Sequence, residues 1–149
     1  MKDYKKTYWP LALWCAALVP VMLGVSLPAE RAGVDERGMV ALMMTVVVLM
    51  LIGLMWIILR GEYVYWINGG PSFEEAKATG SEARREFARK HLVAMLKGGA
   101  AAIALTAAEY ALGAHELAIV LSVSVCIIAA VIPMIGIKWT VSKGDTENR

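Results

Sequence analysis

The sequence predicts an all-α integral membrane protein: a four-helix transmembrane bundle with both termini cytoplasmic. Three observations carry that prediction. First, there are four apolar runs, Trp9–Leu27, Met39–Leu59, Leu92–Leu112 and Leu117–Ile137, each of 19–21 residues. At about 1.5 Å per residue, a helix of that length crosses a hydrocarbon core of roughly 30 Å. Second, the runs are nearly free of charge; only Lys97 and Glu109 interrupt them, both in the third. Third, positive charge is strongly one-sided. Lys2–Tyr8, Arg60–His91 with Lys97, and Lys138–Arg149 hold 13 of the 15 Lys and Arg residues, leaving Arg31 and Arg37 for the other side. The positive-inside rule assigns the richer side to the cytoplasm, and the expected location is the cell inner (plasma) membrane.

The composition agrees, at 58% hydrophobic and a mean hydropathy of +0.58. Once the spans are removed, no segment is large enough to bury a soluble core, so residues 1–149 read as a single membrane domain. The net charge of +2 is small, and no nucleic-acid partner is expected. The lipid bilayer is the first partner implied. Lys2, Lys5 and Lys6 followed by Ser26-Leu27-Pro28-Ala29 weakly resemble a cleavable signal. The run is longer than a usual signal core, however, and Trp9 anchors its start, so it reads as a retained span. Cys15 and Cys126 lie inside spans at different depths. They read as small apolar core residues, not as a disulfide.

Taken in order, Tyr4, Tyr8 and Trp9 fit an interfacial aromatic belt. Span one contains Pro20, which should kink it or free the carbonyl of Ala16. The loop Ala29–Gly38 suits a turn between antiparallel helices. Span two has no small-residue stripe and is expected to face lipid more than its neighbours do. Arg60 and Glu62 mark its boundary. Tyr63, Tyr65 and Trp66 form a second belt, as if the helix emerged slowly through the headgroups.

Asn68-Gly69-Gly70-Pro71 is a turn by composition. Ser72 and Glu75 then form a capping box for a short helix that Gly80 ends, and Ser81 can cap the next. Residues 82–91 read as a charged helix supported by Glu86 and Lys90. Two readings of residues 68–91 are open: a solvated helical hairpin on the membrane surface, or a docking site for a cytoplasmic protein. Arg84, Arg85, Arg89 and Lys90 are the candidate partner- or lipid-binding residues, since such a cluster attracts anionic headgroups.

Span three is small on two faces, Gly98/Ala102/Thr106 and Ala100/Ala104/Ala108. Such faces permit close neighbours and place this helix at the bundle centre or at a dimer seam. Span four follows a short turn and carries Ser122 and Ser124, whose hydroxyls are expected to bond back to their own helix. The tail Ser142–Arg149 is polar, with the composition of a disordered segment.

The candidate intramembrane polar site is Lys97 and Glu109. Roughly 18 Å along the axis separates them, so they cannot pair with each other. Lys97 can extend its stem toward the headgroups. Glu109 can meet Arg31 or Arg37, reach water, or serve as a proton or cation site. Glu109, His115 and Glu116 are residue types that bind divalent ions, but their spacing matches no known site. No metal is expected. There is no phosphate-binding glycine loop, no CxxC and no HExxH, so no cofactor and no enzymatic activity are expected.

The stretch Asn68–Glu75, then Arg85–His91, then Leu92–Ala104 resembles the sporulation-delaying-protein immunity family of small bacterial membrane proteins. The resemblance lies in the organisation of about a quarter of the chain. This chain reads Asn-Gly-Gly-Pro-Ser where that family has a Gly-aromatic-Arg/Asn-Thr turn. The resemblance implies a bacterial protein that protects against a membrane-active toxin or sequesters a regulator. The leading expectation is thus a non-enzymatic accessory, immunity or signalling protein with a partner at residues 68–91. The alternative is a small homo-oligomeric transporter or channel with span three lining the seam.

Overall fold

The computed structural model describes residues 4–139. They form five α-helices: α1 Trp9–Arg31, α2 Glu36–Gly61, α3 Phe73–Ala78, α4 Ser81–Ala111 and α5 Glu116–Ile135. A 3₁₀ turn, Val64–Trp66, lies between α2 and α3, and no strand occurs among the described residues. The tail Ser142–Arg149 lies outside them. The four longer helices are each long and apolar enough to cross a membrane. They run up and down, because the links from α1 to α2 and from α4 to α5 are short turns.

The packing centres on α4, which lies against both α2 and α5. Gly98 and Gly99 make this possible. A methyl group at Gly98 would sit 2.2 Å from the Ala130 Cβ on α5, and one at Gly99 would sit 2.7 Å from the Ile52 Cδ1 on α2. Two consecutive glycines thus admit two different neighbours, as small residues do between membrane helices. Beyond them Val48, Ala102 and Val123 form an apolar core, with Met44, Ile52, Ile103, Cys126 and Ile127 packed around it. Thr45 and Thr106 return their hydroxyls to their own helices, to the carbonyls of Ala41 and Ala102. The interior therefore has no free hydroxyl from these two residues.

Several expectations need correction. Span two does not turn mainly outward: α2 packs against α1, α4 and α5 and buries Ala41, Val46, Val48 and Ile58. The small residues that permit its close approach belong to α4, so α2 supplies the larger side chains that fill the seam. Peripheral position falls to α1 instead. Its partner is α2, while Trp9 is 69% and Val19 63% exposed. Trp14 fastens it, lying over Gly53 and donating from its indole N–H to the Met50 carbonyl at 3.1 Å. α1 runs without a break through Pro20 and Pro28. Cys15 lies on its exposed face and is not a core residue; Cys126 is half-buried, and both are free thiols.

The charged segment is not a separate surface helix. Residues 81–91 are the first turns of α4, one helix of 31 residues and roughly 46 Å. No proline interrupts it, and Ala, Arg, Glu, Lys and Leu dominate its first half. Ser81 does not cap this helix; Gly80 holds the cap position and Ser81 is the first helical residue. The capping box at Ser72 and Glu75 forms as expected. Ser72 N–H donates to the Glu75 carboxylate at 2.7 Å and Glu75 N–H to the Ser72 hydroxyl at 3.2 Å.

Candidate functional site

The most elaborate polar structure lies at the end of the bundle where α2 stops and α4 starts. The α2 helix ends at Gly61, and Glu62 takes the left-handed conformation with φ 57°. That is an uncommon conformation for a residue with a side chain. It reverses the chain at once, so the belt of Tyr63, Tyr65 and Trp66 folds back and does not prolong the helix outward. The floor beneath is apolar: Ile58, Val64, Ala76, Phe87 and Ala88.

The Glu62 carboxylate collects donors from the start of α4. Arg84 approaches it through Nε at 2.9 Å and Nη2 at 2.8 Å, and Arg85 through Nε at 2.8 Å. The Ser81 hydroxyl donates to it as well. Arg84 also donates from Nη1 to the Ala76 carbonyl at 2.9 Å and to that of Thr79, at the end of α3. Its guanidinium lies 4.2 Å from the centre of the Tyr4 ring, a cation–π geometry. Burial works to raise the Glu62 pKa, but the hydrogen bonds from Ser81, Arg84 and Arg85 outweigh it. They hold the carboxyl below its usual range.

The segment before α1 closes the cluster. Tyr4 donates its hydroxyl to the Glu62 carbonyl at 2.7 Å and stacks on Phe73 with centroids 5.4 Å apart. Burial pushes its phenol up to about 12, against the pull of Arg84. Thr7 is gripped through its backbone. Its N–H donates to the Tyr65 hydroxyl at 2.9 Å, and its carbonyl accepts from that hydroxyl at 2.8 Å and from the Trp66 indole at 3.1 Å. Tyr65 and Trp66 thereby hold the chain much as a paired strand would. Each of these polar groups has a partner. The arrangement is a structural lock that joins the start of α1, the end of α2, α3 and the start of α4.

This changes the standing of the candidate residues. Arg84 is buried at 8% exposure and its donors are taken, so it is not a surface for a partner or for lipid. Arg85 shares Glu62 but remains 64% exposed along its side chain. Arg89 and Lys90 are exposed, with Lys90 2.8 Å from the Glu86 carboxylate. His91 points inward, its Nδ1 3.0 Å from the Phe87 carbonyl.

Lys97 and Glu109 stand apart. Lys97 is exposed and borders a groove between α4 and α5. Glu109 is half-buried near the other end and accepts from the Ser122 hydroxyl at 2.6 Å. Neither Arg31 nor Arg37 is its partner. Arg37 lies 3.7 Å from Asp35 and 5.4 Å from the centre of the Tyr110 ring. Ser122 also reaches the Ile119 carbonyl at 3.0 Å, and Ser124 that of Val120 at 2.7 Å, as serines in apolar helices do. His115 caps α5 by accepting from the Leu117 N–H at 3.2 Å and does not join Glu109. Among the described residues, no three His, Cys, Asp or Glu side chains converge as a metal site would require.

The fold defines the class: an all-helical protein with four helices of membrane-spanning length and apolarity. No family model, curated protein or solved structure matches this chain.

Proposed function

We propose that the chain is a four-span protein of the inner (plasma) membrane, with the basic end of the bundle in the cytoplasm. It acts by binding and not by catalysis, as an accessory or immunity protein whose segment 68–91 meets a protein partner. The one-sided distribution of Lys and Arg supports the orientation. The observation that carries the binding role is the lock around Glu62. Membrane helices need only a short link, yet this chain orders 62–80 into a specific platform tied to α1 and α4. Glu74, Glu75, Lys77, Glu82, Arg85, Glu86, Arg89 and Lys90 are the exposed charges of segment 68–91. The resemblance to the immunity family points the same way, toward neutralising a membrane-active toxin or holding a regulator.

A homo-oligomeric transporter is the second reading. Ala100, Ala104 and Ala108 are all exposed on α4, so one small face has no partner within the chain. Against transport through a single copy stands the apolar core of Val48, Ala102 and Val123.

A photocrosslinking side chain at Arg89, used in native membranes, separates the two. The binding role predicts a discrete adduct with a second protein, lost on Lys77→Glu with Arg85→Glu, while Glu109→Gln leaves it intact. A ladder of self-adducts, together with loss of function in Glu109→Gln alone, would favour the oligomeric transporter.

A further inference from the structure

The groove between α4 and α5 lies outside the lock, and its composition changes along its length. It has a volume of about 390 Å³, with Lys90 and Lys97 on the α4 side and Pro133 at the facing end of α5. Gly98, Ala101, Ala129 and Ala130 form its floor. Lys90 to Ala101 covers roughly 16 Å of helix, close to half of a hydrocarbon core of about 30 Å. The groove thus runs through one leaflet, with its cations toward the basic end and its small apolar residues toward the bilayer middle. Lys90 and Lys97 are seven apart, two turns on one face, and a lysine stem that deep extends toward the headgroups. Lys138 and Lys90 line a small recess beside the same rim, along with Glu86. Pro133 adds a polar feature, because it cannot supply the N–H that would bond the Ala129 carbonyl.

We infer that this groove is a binding site for one anionic phospholipid of the leaflet at the basic end. Its phosphate sits between the Lys90 and Lys97 ammonium groups, and an acyl chain lies over Gly98, Ala101 and Ala130. Charge complementarity selects this occupant. An uncharged apolar helix would leave Lys97 facing hydrocarbon without a counter-charge, whereas a phosphodiester supplies one at the depth its stem can reach. Glu86 competes for Lys90, so Lys97 is the stronger determinant. The inference rests on insertion with the basic end at one face of the membrane.

The full chain is reconstituted into nanodiscs of mixed phosphatidylglycerol and phosphatidylcholine, then released in detergent for native mass spectrometry. The wild type should retain one phosphatidylglycerol in preference to phosphatidylcholine. Lys97→Gln should reduce that retention about fivefold, the effect of one lysine near a phosphate. Ala101→Leu, which fills the groove at an exposed position, should reduce it with both lysines present. Arg60→Gln, an exposed cation elsewhere, should leave it unchanged. Equal retention in Lys97→Gln, or equal loss in Arg60→Gln, overturns the site while leaving the membrane reading standing. A homodimer that Ala101→Leu dissociates would give the groove to a second copy and overturn it too. Failure to enter nanodiscs of either lipid would overturn insertion itself, and the lipid site with it.

Discussion

The two ends of the bundle solve the same problem differently. At one end, α1 joins α2 and α4 joins α5 through four-residue turns, 32–35 and 112–115. Each turn relies on one glycine in the left-handed region, Gly33 at φ 76° and Gly113 at φ 77°. A single side chain caps each following helix, Asp35 on α2 and His115 on α5. At the other end, residues 62–80 build a cluster around one carboxylate and one buried guanidinium. Connecting helices does not require that. The minimal end shows how little a helical hairpin needs, so the elaborate end points to something beyond connection. Because the charges there lie where water is scarce, removing one partner leaves the other without compensation.

Removing the buried cation should have the largest effect on the elaborate end. Arg84→Met leaves Glu62 partly buried with fewer donors, and losing one partner of such a pair costs about 3 kcal/mol or more. Unfolding in detergent, followed by the fluorescence of Trp66 and its neighbours, should show that loss as a lowered midpoint. Acid should have a smaller effect. The folded Glu62 pKa lies below the ordinary 4.5, so its stabilising contribution is complete above that value. The contribution is lost as pH falls through the folded pKa. The midpoint should therefore drop on acidification below pH 4.5 in the wild type, and more shallowly in Glu62→Gln. Arg85→Met should have the smallest effect. It removes a contact to the same carboxylate, but its side chain is 64% exposed, which limits such a pair to about 0–1 kcal/mol. Equal losses for Arg84→Met and Arg85→Met would mean that the cluster is solvated and the two ends differ less than the geometry implies.

The helices were legible in the sequence because their signals are local. Apolar length, the turn at Asn68–Pro71 and the capping box at Ser72 each depend on neighbouring residues. Gly98 and the alanines of α4 also marked the central helix, since small size on a membrane helix implies close neighbours. The lock was not legible. Arg84, Arg85 and Arg89 are one residue type in one basic run, and sequence alone does not say that Arg84 turns inward. That is decided by the left-handed turn at Glu62, a non-glycine residue without a turn signature, and by Tyr4, distant in the chain. The union of the charged segment with span three was missed for a related reason. A change from polar to apolar looks like a boundary, but the backbone crosses it without a break.

The proposed binding platform requires four membrane crossings with the elaborate end in the cytoplasm, which side-specific labelling of single cysteines can decide. With Cys15 and Cys126 replaced by serine, Ala78→Cys and Ala32→Cys report the two ends at exposed positions that do not need a left-handed backbone; Ala32 closes α1 through its backbone N–H alone, which a cysteine keeps. A membrane-impermeant maleimide added to intact cells should label Ala32→Cys and spare Ala78→Cys until the cells are opened. Labelling of both from outside, or of Ala78→Cys alone, would contradict the proposed topology and the cytoplasmic binding platform built on it.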